Sequence, residues 1–329
     1  MRISTFLPHV GVFGGVRRFI ELGNSWSRMG HEVTLYHPGG EPPDWLPYRG
    51  QTRPLAESAS GRADLAITAD PHTLEAFAAH RAGIHLYYCV IENDPGVARA
   101  RDVSARLAAN SSELRRSLAR RTRLVVLDGA GGINRDQFHP DPTRRHATPL
   151  RVLANGRRSR AKKGTDLVLE AARGLKRVPE FELVLFDHVD QHNRQDPRDG
   201  APLPGNARFV LNPTQDELVE LYQSADVFVA AERKAGWCNT ALEAMACGCA
   251  VVCTSSGTAD FARHRDNALV TLRHPWFLRA AIRRVLTDDV LRGRFAAAGP
   301  PEAERWSWDR LAEKLLAQLG VAATRAVTS

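Results

Sequence analysis

Long apolar runs are missing from this 329-residue sequence. None approaches the ~20 residues that a membrane-spanning helix needs, and no charged-then-apolar signal with a cleavage site opens the chain. The expected location is therefore cytoplasmic. Cysteine is scarce and odd in number: Cys89, Cys238, Cys247, Cys249 and Cys253. Without an export signal, disulfides are not expected. Four of the five crowd between 238 and 253, but Cys247-Gly-Cys249 has the wrong spacing for a C-x₂-C zinc knuckle. They read as small buried hydrophobes. Lysine is scarce too, with 5 against 40 arginines. The net charge of +8 and a pI of about 9.6 bring nucleic acid, anionic lipid and phosphorylated ligands into consideration. Aromatic residues do not interleave the basic stretches, so nucleic-acid binding is not expected. The densest basic group is Arg99, Arg101, Arg106, Arg115, Arg116, Arg120, Arg121 and Arg123. It reads first as a solvated face, and second as a peripheral contact with an anionic membrane on its inner side.

What is present is an ordinary globular composition, 43% hydrophobic and 25% charged, at a length that suits two domains. Short apolar runs alternate with helical stretches in both halves. This predicts an α/β chain of two doubly wound, Rossmann-like domains facing an inter-domain cleft. The expected division is 1–145, 146–305 and a closing helix over 306–329 that returns toward the first domain, with the linker in DPTRRHATP.

The first half opens with strand MRISTFL, a glycine turn, a helix to about Met29, and strand HEVTLYHP. Gly11, Gly14 and Gly15 are spaced G-x-x-G-G rather than G-x-G-x-x-G, and Tyr36 and His37 stand where an acid would bind a ribose. Nicotinamide binding is disfavoured. A glycine turn at a helix N-terminus still lets the backbone approach a phosphate or sugar. The stretch from Glu41 to Arg62 reads as loop. Strand IHLYYCVI ends at Glu92, Asn93 and Asp94, which suit either a cleft or a loop cap.

In the second half, strand LRVLAN gives way to Arg157, Arg158, Arg160, Lys162 and Lys163, then Gly164 and an amphipathic helix. Five cations ahead of a helix N-terminus mark an anion site. From Ala225 to Asp260 the pattern is apolar run, polar loop, helix, glycine, apolar run, a βαβ unit. Asn239 or Thr240 would cap its helix. Glu243 lies one turn in, among apolar residues. It reads either as a core acid satisfied by a neighbouring arginine or as a ligand group. Further helices are expected over Pro275–Leu286 and Asp288–Ala298, and in ERWSWDRLAEKLLAQL.

GGV in the first turn, Gly156-Arg157 with Lys163-Gly164, LEAMACG at Leu242–Gly248, and WSWDRL near the end occur in that order along nearly the whole chain. Together they resemble the retaining glycosyltransferases of family 4, of GT-B fold, and GGINRDQFHP is similar to the segment before that family's linker. The resemblance implies a nucleotide-sugar donor, a hydroxyl acceptor on a small molecule, glycan or lipid-linked glycan, and no metal or cofactor. Arg157 and Lys163 would stabilise the departing diphosphate, whose own oxygen takes the acceptor's proton. Glu243 would accept hydrogen bonds from the ribose, and Gly15 would admit the distal phosphate. Gly236, Trp237, Cys238, Asn239 and Thr240 would contact sugar or phosphate. Asp187 and Asp190 read as solvated loop residues, which leaves no acidic metal site. The family's paired glutamates are not complete, because Ala235 stands where the first belongs. That implies a different donor sugar, a substitute such as Glu232 or Lys234, or a nucleotide-sugar-binding protein that has lost catalysis. Glu92 and Asp94 stand where many relatives place a histidine, and are acceptor-side candidates.

Overall fold

A computed structural model describes residues 1–143, 148–189, 196, 198, 199 and 202–320. In chain order the first stretch contains β1 (Arg2–Phe6), α1 (Gly14–Arg28), β2 (Glu32–His37), β3 (Gln51–Pro54), β4 (Arg62–Thr68), α2 (Leu74–Ala79), β5 (Arg81–Cys89), α3 (Gly96–Asp102), β6 (Arg106–Ala109), α4 (Ser112–Thr122) and β7 (Val126–Asp128). There follow β8 (Leu150–Asn155), α5 (Thr165–Arg173), β9 (Phe181–Asp187), β10 (Ala207–Leu211), α6 (Gln215–Ser224), β11 (Val227–Ala230), α7 (Asn239–Ala246), β12 (Ala250–Cys253) and β13 (Ala268–Val270). Helices α8 (Pro275–Thr287), α9 (Asp289–Glu304) and α10 (Trp308–Gln318) close the chain.

Two compact units result. The first is Met1–Gly132 with α10, and the second is Ile133–Arg305. The change of unit thus falls ahead of the proline-rich stretch where a boundary near 145 is expected. The reason is local: Phe138 is buried and packs edge-on against Tyr222 of α6, while Arg135 donates to the carbonyl of Ala246.

Every strand pair in both units is parallel. The first sheet runs β3-β2-β1-β4-β5-β6-β7 and the second β10-β9-β8-β11-β12-β13. Parallel sheets covered on both faces need strands that are apolar throughout. β11 (VFVA) and β12 (AVVC) meet this, being buried at every position. The sheets thus reverse strand order beside β1 in one unit and beside β8 in the other, which is where doubly wound folds bind ligands.

Four elements differ from the sequence reading. The 41–62 stretch contains edge strand β3, and α3 with β6 lies inside the arginine-rich region. Helix α9 continues through Pro300 and Pro301 instead of stopping at Ala298. Its last turn is held by buried Glu302, which pairs with Arg263 at 2.8 Å. In the first unit, buried Arg18 of α1 donates to Tyr88 Oη and to the carbonyl of Gly131, and lies over the ring of Trp308 in α10.

Candidate functional site

The carboxyl edge of the second sheet gathers four loops, those after β8, β9, β11 and β12. The β8 loop carries the basic run. At its root, Gly156 donates to the carbonyl of Phe186 at 2.7 Å, and an added Cβ would lie 2.5 Å from the Phe209 ring. Any side chain there would have to displace that ring. Gly156 launches the chain so that Arg157 meets Asp187, the last residue of β9. Arg157 Nε lies 3.1 and 3.0 Å from the two carboxylate oxygens and Nη2 lies 2.8 Å from Oδ1. Nη2 also donates to the carbonyl of His188. This corrects the reading of Asp187 as solvated: its side chain is 4% exposed and committed to an arginine. Asp190 lies outside the described residues.

Lys163 ends the same loop, and its Nζ is 2.7 Å from Glu232 Oε1. Burial lowers the pKa of this ammonium, but the Glu232 carboxylate with the nearby Cys238 outweighs it and holds the group above the ordinary lysine range. Arg157 acts on it in the opposite sense, so the two principal cations are within electrostatic reach of one another. Lys162 next door is lowered, first by burial and then by Arg160 and Lys163. Arg158 is turned to Asp166 of α5, at 3.3 Å.

The β11 loop folds over this run through backbone bonds. Arg233 N–H donates to the carbonyl of Lys162, and Thr254 Oγ1 donates to that of Glu232. Ala235 N–H donates to Ser256 Oγ, and Cys238 N–H to the carbonyl of Gly257. Arg273, which sequence reasoning passed over, fastens both loops: Nε donates to the carbonyl of Ala231 and Nη2 to that of Ala161. Nothing marked it among forty arginines.

Helix α7 begins at Asn239 with Cys238 as its cap residue and no side-chain cap. Asn239 and Thr240 are therefore first-turn residues and not caps, which leaves the amino end without an oxygen of its own. Asn239 Oδ1 and Ser159 Oγ on the basic loop are both buried atoms with no hydrogen-bond partner. A buried polar atom left unbonded asks for a ligand or a water. Gly236 is half-buried beside Trp237, whose ring tilts against Phe261 at 5.1 Å. Glu243 is buried in α7, and a tyrosine is bonded to it: Tyr222 Oη donates to Oε2 at 2.8 Å. Burial first, and this carboxylate second, push the phenol well above its usual range.

The remaining residues belong to the first unit. Gly15 is the second residue of α1, and no atom lies within 4 Å of the Cβ it lacks. Nothing inside the unit requires glycine there. Glu92 is exposed. Asp94 is turned inward, accepting from Tyr87 Oη at 2.8 Å and from the N–H of Gly96, the first residue of α3, at 2.9 Å. Burial raises its pKa, and those two bonds oppose the rise. All five cysteines are buried and none forms a disulfide; burial pushes Cys253 up to about 12 and raises Cys89, Cys238 and Cys247 further. Among the described residues no group of three or more His, Cys, Asp or Glu is placed to hold a metal. Among them, too, no helix is long and apolar enough to cross a membrane.

Residues 138–301 match the sequence profile of the family described as glycosyl transferases group 1. The chain therefore carries a domain of that family, as the sequence resemblance implies. A D-inositol 3-phosphate glycosyltransferase of Corynebacterium urealyticum is 34% identical over 111 residues, 33% of this chain and 26% of that protein. A phosphatidyl-myo-inositol mannosyltransferase of Mycobacterium tuberculosis is 32% identical over 175 residues, 50% of this chain and 45% of that protein. The chain thus matches less than half the length of these relatives. In fold it is similar to sucrose-phosphate synthase from Thermosynechococcus elongatus, with a TM-score of 0.77 at 16% identity over 97% of this chain and 98% of that one. Anabaena HepE, solved with UDP and glucose, gives 0.77 at 14% identity over 98% and 100%. The fold is GT-B, in two parallel-sheet Rossmann-like units.

Proposed function

We propose that this protein is a retaining, metal-independent glycosyltransferase that moves a sugar from a nucleoside-diphosphate donor to a hydroxyl acceptor. The observation that carries this reading is the pair Arg157 and Lys163, carried by one loop at a sheet's carboxyl edge within electrostatic reach of one another. A diphosphate leaving a sugar gains negative charge as the C1–O bond breaks. Cations already in place stabilise that charge without reorganisation. The acceptor oxygen then bonds to C1 on the face the diphosphate leaves, and the acceptor's proton passes to a phosphate oxygen. Because the acceptor enters on the face the diphosphate leaves, C1 keeps its configuration in this scheme without a protein nucleophile.

The other side chains fit supporting roles. Ser159 Oγ–H suits a phosphate oxygen, and Asn239 Oδ1 suits a sugar hydroxyl. Glu243, in addition to its bond from Tyr222, would accept from ribose hydroxyls. Gly15 leaves room for a phosphate at the first turn of α1. Glu232 is the acid that compensates for Ala235, because it is the carboxylate its loop places against Lys163. HepE was solved with UDP-glucose and TarM with UDP and α-GlcNAc-glycerol, so a UDP-sugar and a hydroxyl-bearing glycan or polyol acceptor are the first substrates to try. Exposed Leu124 and Val125 beside the arginines of α4 supply a face for a peripheral membrane contact.

The second reading, ligand binding without transfer, rests on Ala235 itself. Turnover of a nucleotide-sugar panel by the intact chain separates the two. Release of nucleoside diphosphate that falls by orders of magnitude in R157A and K163A supports transfer. Tight binding of the same donor without turnover, across a broad acceptor panel, supports the second reading.

A further inference from the structure

Asp187 is absent from the residues that the family resemblance assigns, and it is the group closest to the cation that matters most. The geometry points to Asp187 as a positioning residue: it fixes the plane of the Arg157 guanidinium from which a leaving diphosphate is met. This inference rests on the role proposed for Arg157.

The argument begins with which partner is rigid. Asp187 closes β9, which lies between β10 and β8, and its Cα is in register with Leu211. Its carbonyl accepts from Asn212 N–H at 2.9 Å, and its side chain is 4% exposed. Arg157 sits on the loop after β8, where its backbone N–H donates to Asn155 Oδ1. An arginine side chain carries roughly 2 kcal/mol of rotamer entropy, and a planar fork loses less of it per bond formed. Here the Nε and Nη2 edge takes both carboxylate oxygens, and Nη2 takes the His188 carbonyl as well. Three acceptors on one edge leave the plane little freedom to rotate. A strand-borne acid therefore aims a loop-borne cation.

Electrostatics sharpens the point. The carboxylate offsets part of the charge that Arg157 presents, which weakens its attraction for a phosphate in the ground state. An arrangement that gives up attraction gains only if orientation matters more. A purely structural ion pair and a positioning pair consequently differ in what their removal does. Loss of a structural pair lowers stability and leaves the turnover of the folded fraction intact. Loss of a positioning pair lowers turnover and leaves nucleotide affinity unchanged or raised.

The test compares wild type, R157A, D187N and D187E as intact chains. Two quantities are read: nucleoside diphosphate released from UDP-, GDP- and dTDP-hexoses, and the guanidinium Nε–Hε NMR signal of Arg157, identified by its absence in R157A. D187N is expected to lose about 10²-fold in kcat, the scale of a 1 Å misplacement, with KM for the donor within about threefold. D187E, which keeps the charge, recovers part of the loss and guards against a variant that fails to fold. The Nε–Hε signal is slow to exchange in wild type and D187E and exchanges fast in D187N. Equal protection in D187N overturns the inference, and so does wild-type turnover in D187N where R157A is crippled. Wild-type turnover in R157A removes the diphosphate role instead, and the NMR signal alone then decides whether Asp187 orients the side chain.

Discussion

Replacing Lys163 with methionine keeps most of the side chain's volume and removes the ammonium from Glu232. The Glu232 side chain is 9% exposed and its Oε1 is 2.7 Å from Lys163 Nζ. Breaking a fully buried pair from one side costs about 3–5 kcal/mol, because the other charge is left uncompensated. The lysine is 25% exposed, so water reaches the pair and part of that cost is relieved. A loss of about 1–3 kcal/mol is expected, or roughly 2–10 °C in Tm for a unit of this size. Adding E232Q to K163M should restore most of the stability, since no charge is then stranded. Thermal denaturation of wild type, K163M and the double variant at pH 7.5 measures both effects. A K163M chain as stable as wild type at pH 7.5, or a double variant no better than the single, would refute the buried-pair account.

Three further outcomes follow from the same geometry. In wild type the Lys163 ammonium has a raised folded pKa, so its stabilisation is complete below the unfolded value of 10.5 and is lost as pH rises through the folded one; K163M should lack this alkaline phase in a pH–stability profile. G156A should be unstable, with its Cβ 2.5 Å from the Phe209 ring, whereas G15A should keep wild-type stability within about 1 kcal/mol and lose donor turnover. Y222F takes the phenol's hydrogen bond from buried Glu243 and should cost about 1–3 kcal/mol by urea denaturation, a loss that nucleoside diphosphate partly recovers if ribose hydroxyls replace the phenol.

Much of the fold was legible because parallel strands are recognisable when both faces are buried. VFVA and AVVC are apolar at every position, and the glycine and helix between them complete the unit. β3 escaped because QTRP lies on a sheet edge, half exposed and ending in proline, with no alternation to read. The change of compact unit at Ile133 has no mark in the sequence, since Phe138 looks like a loop residue until Tyr222 is brought beside it. The cations of the site were plain in the sequence, but their partners were not. Asp187 lies 30 residues from Arg157 and Glu232 lies 69 from Lys163, and only the strand order β9-β8-β11 brings each acid to its cation. Glu243 was singled out correctly as an unusual buried acid, yet its donor, 21 residues away on α6, is a tyrosine in an amphipathic helix with no local mark.

The central claim is that Arg157 and Lys163 hold a nucleoside diphosphate. Calorimetric titration of UDP, GDP and dTDP into wild type, R157A and K163A tests it most directly. The account predicts that at least one of the three binds wild type and that each variant loses tenfold or more in affinity, about 1.4 kcal/mol or greater. Binding to wild type that survives unchanged in both variants would contradict it.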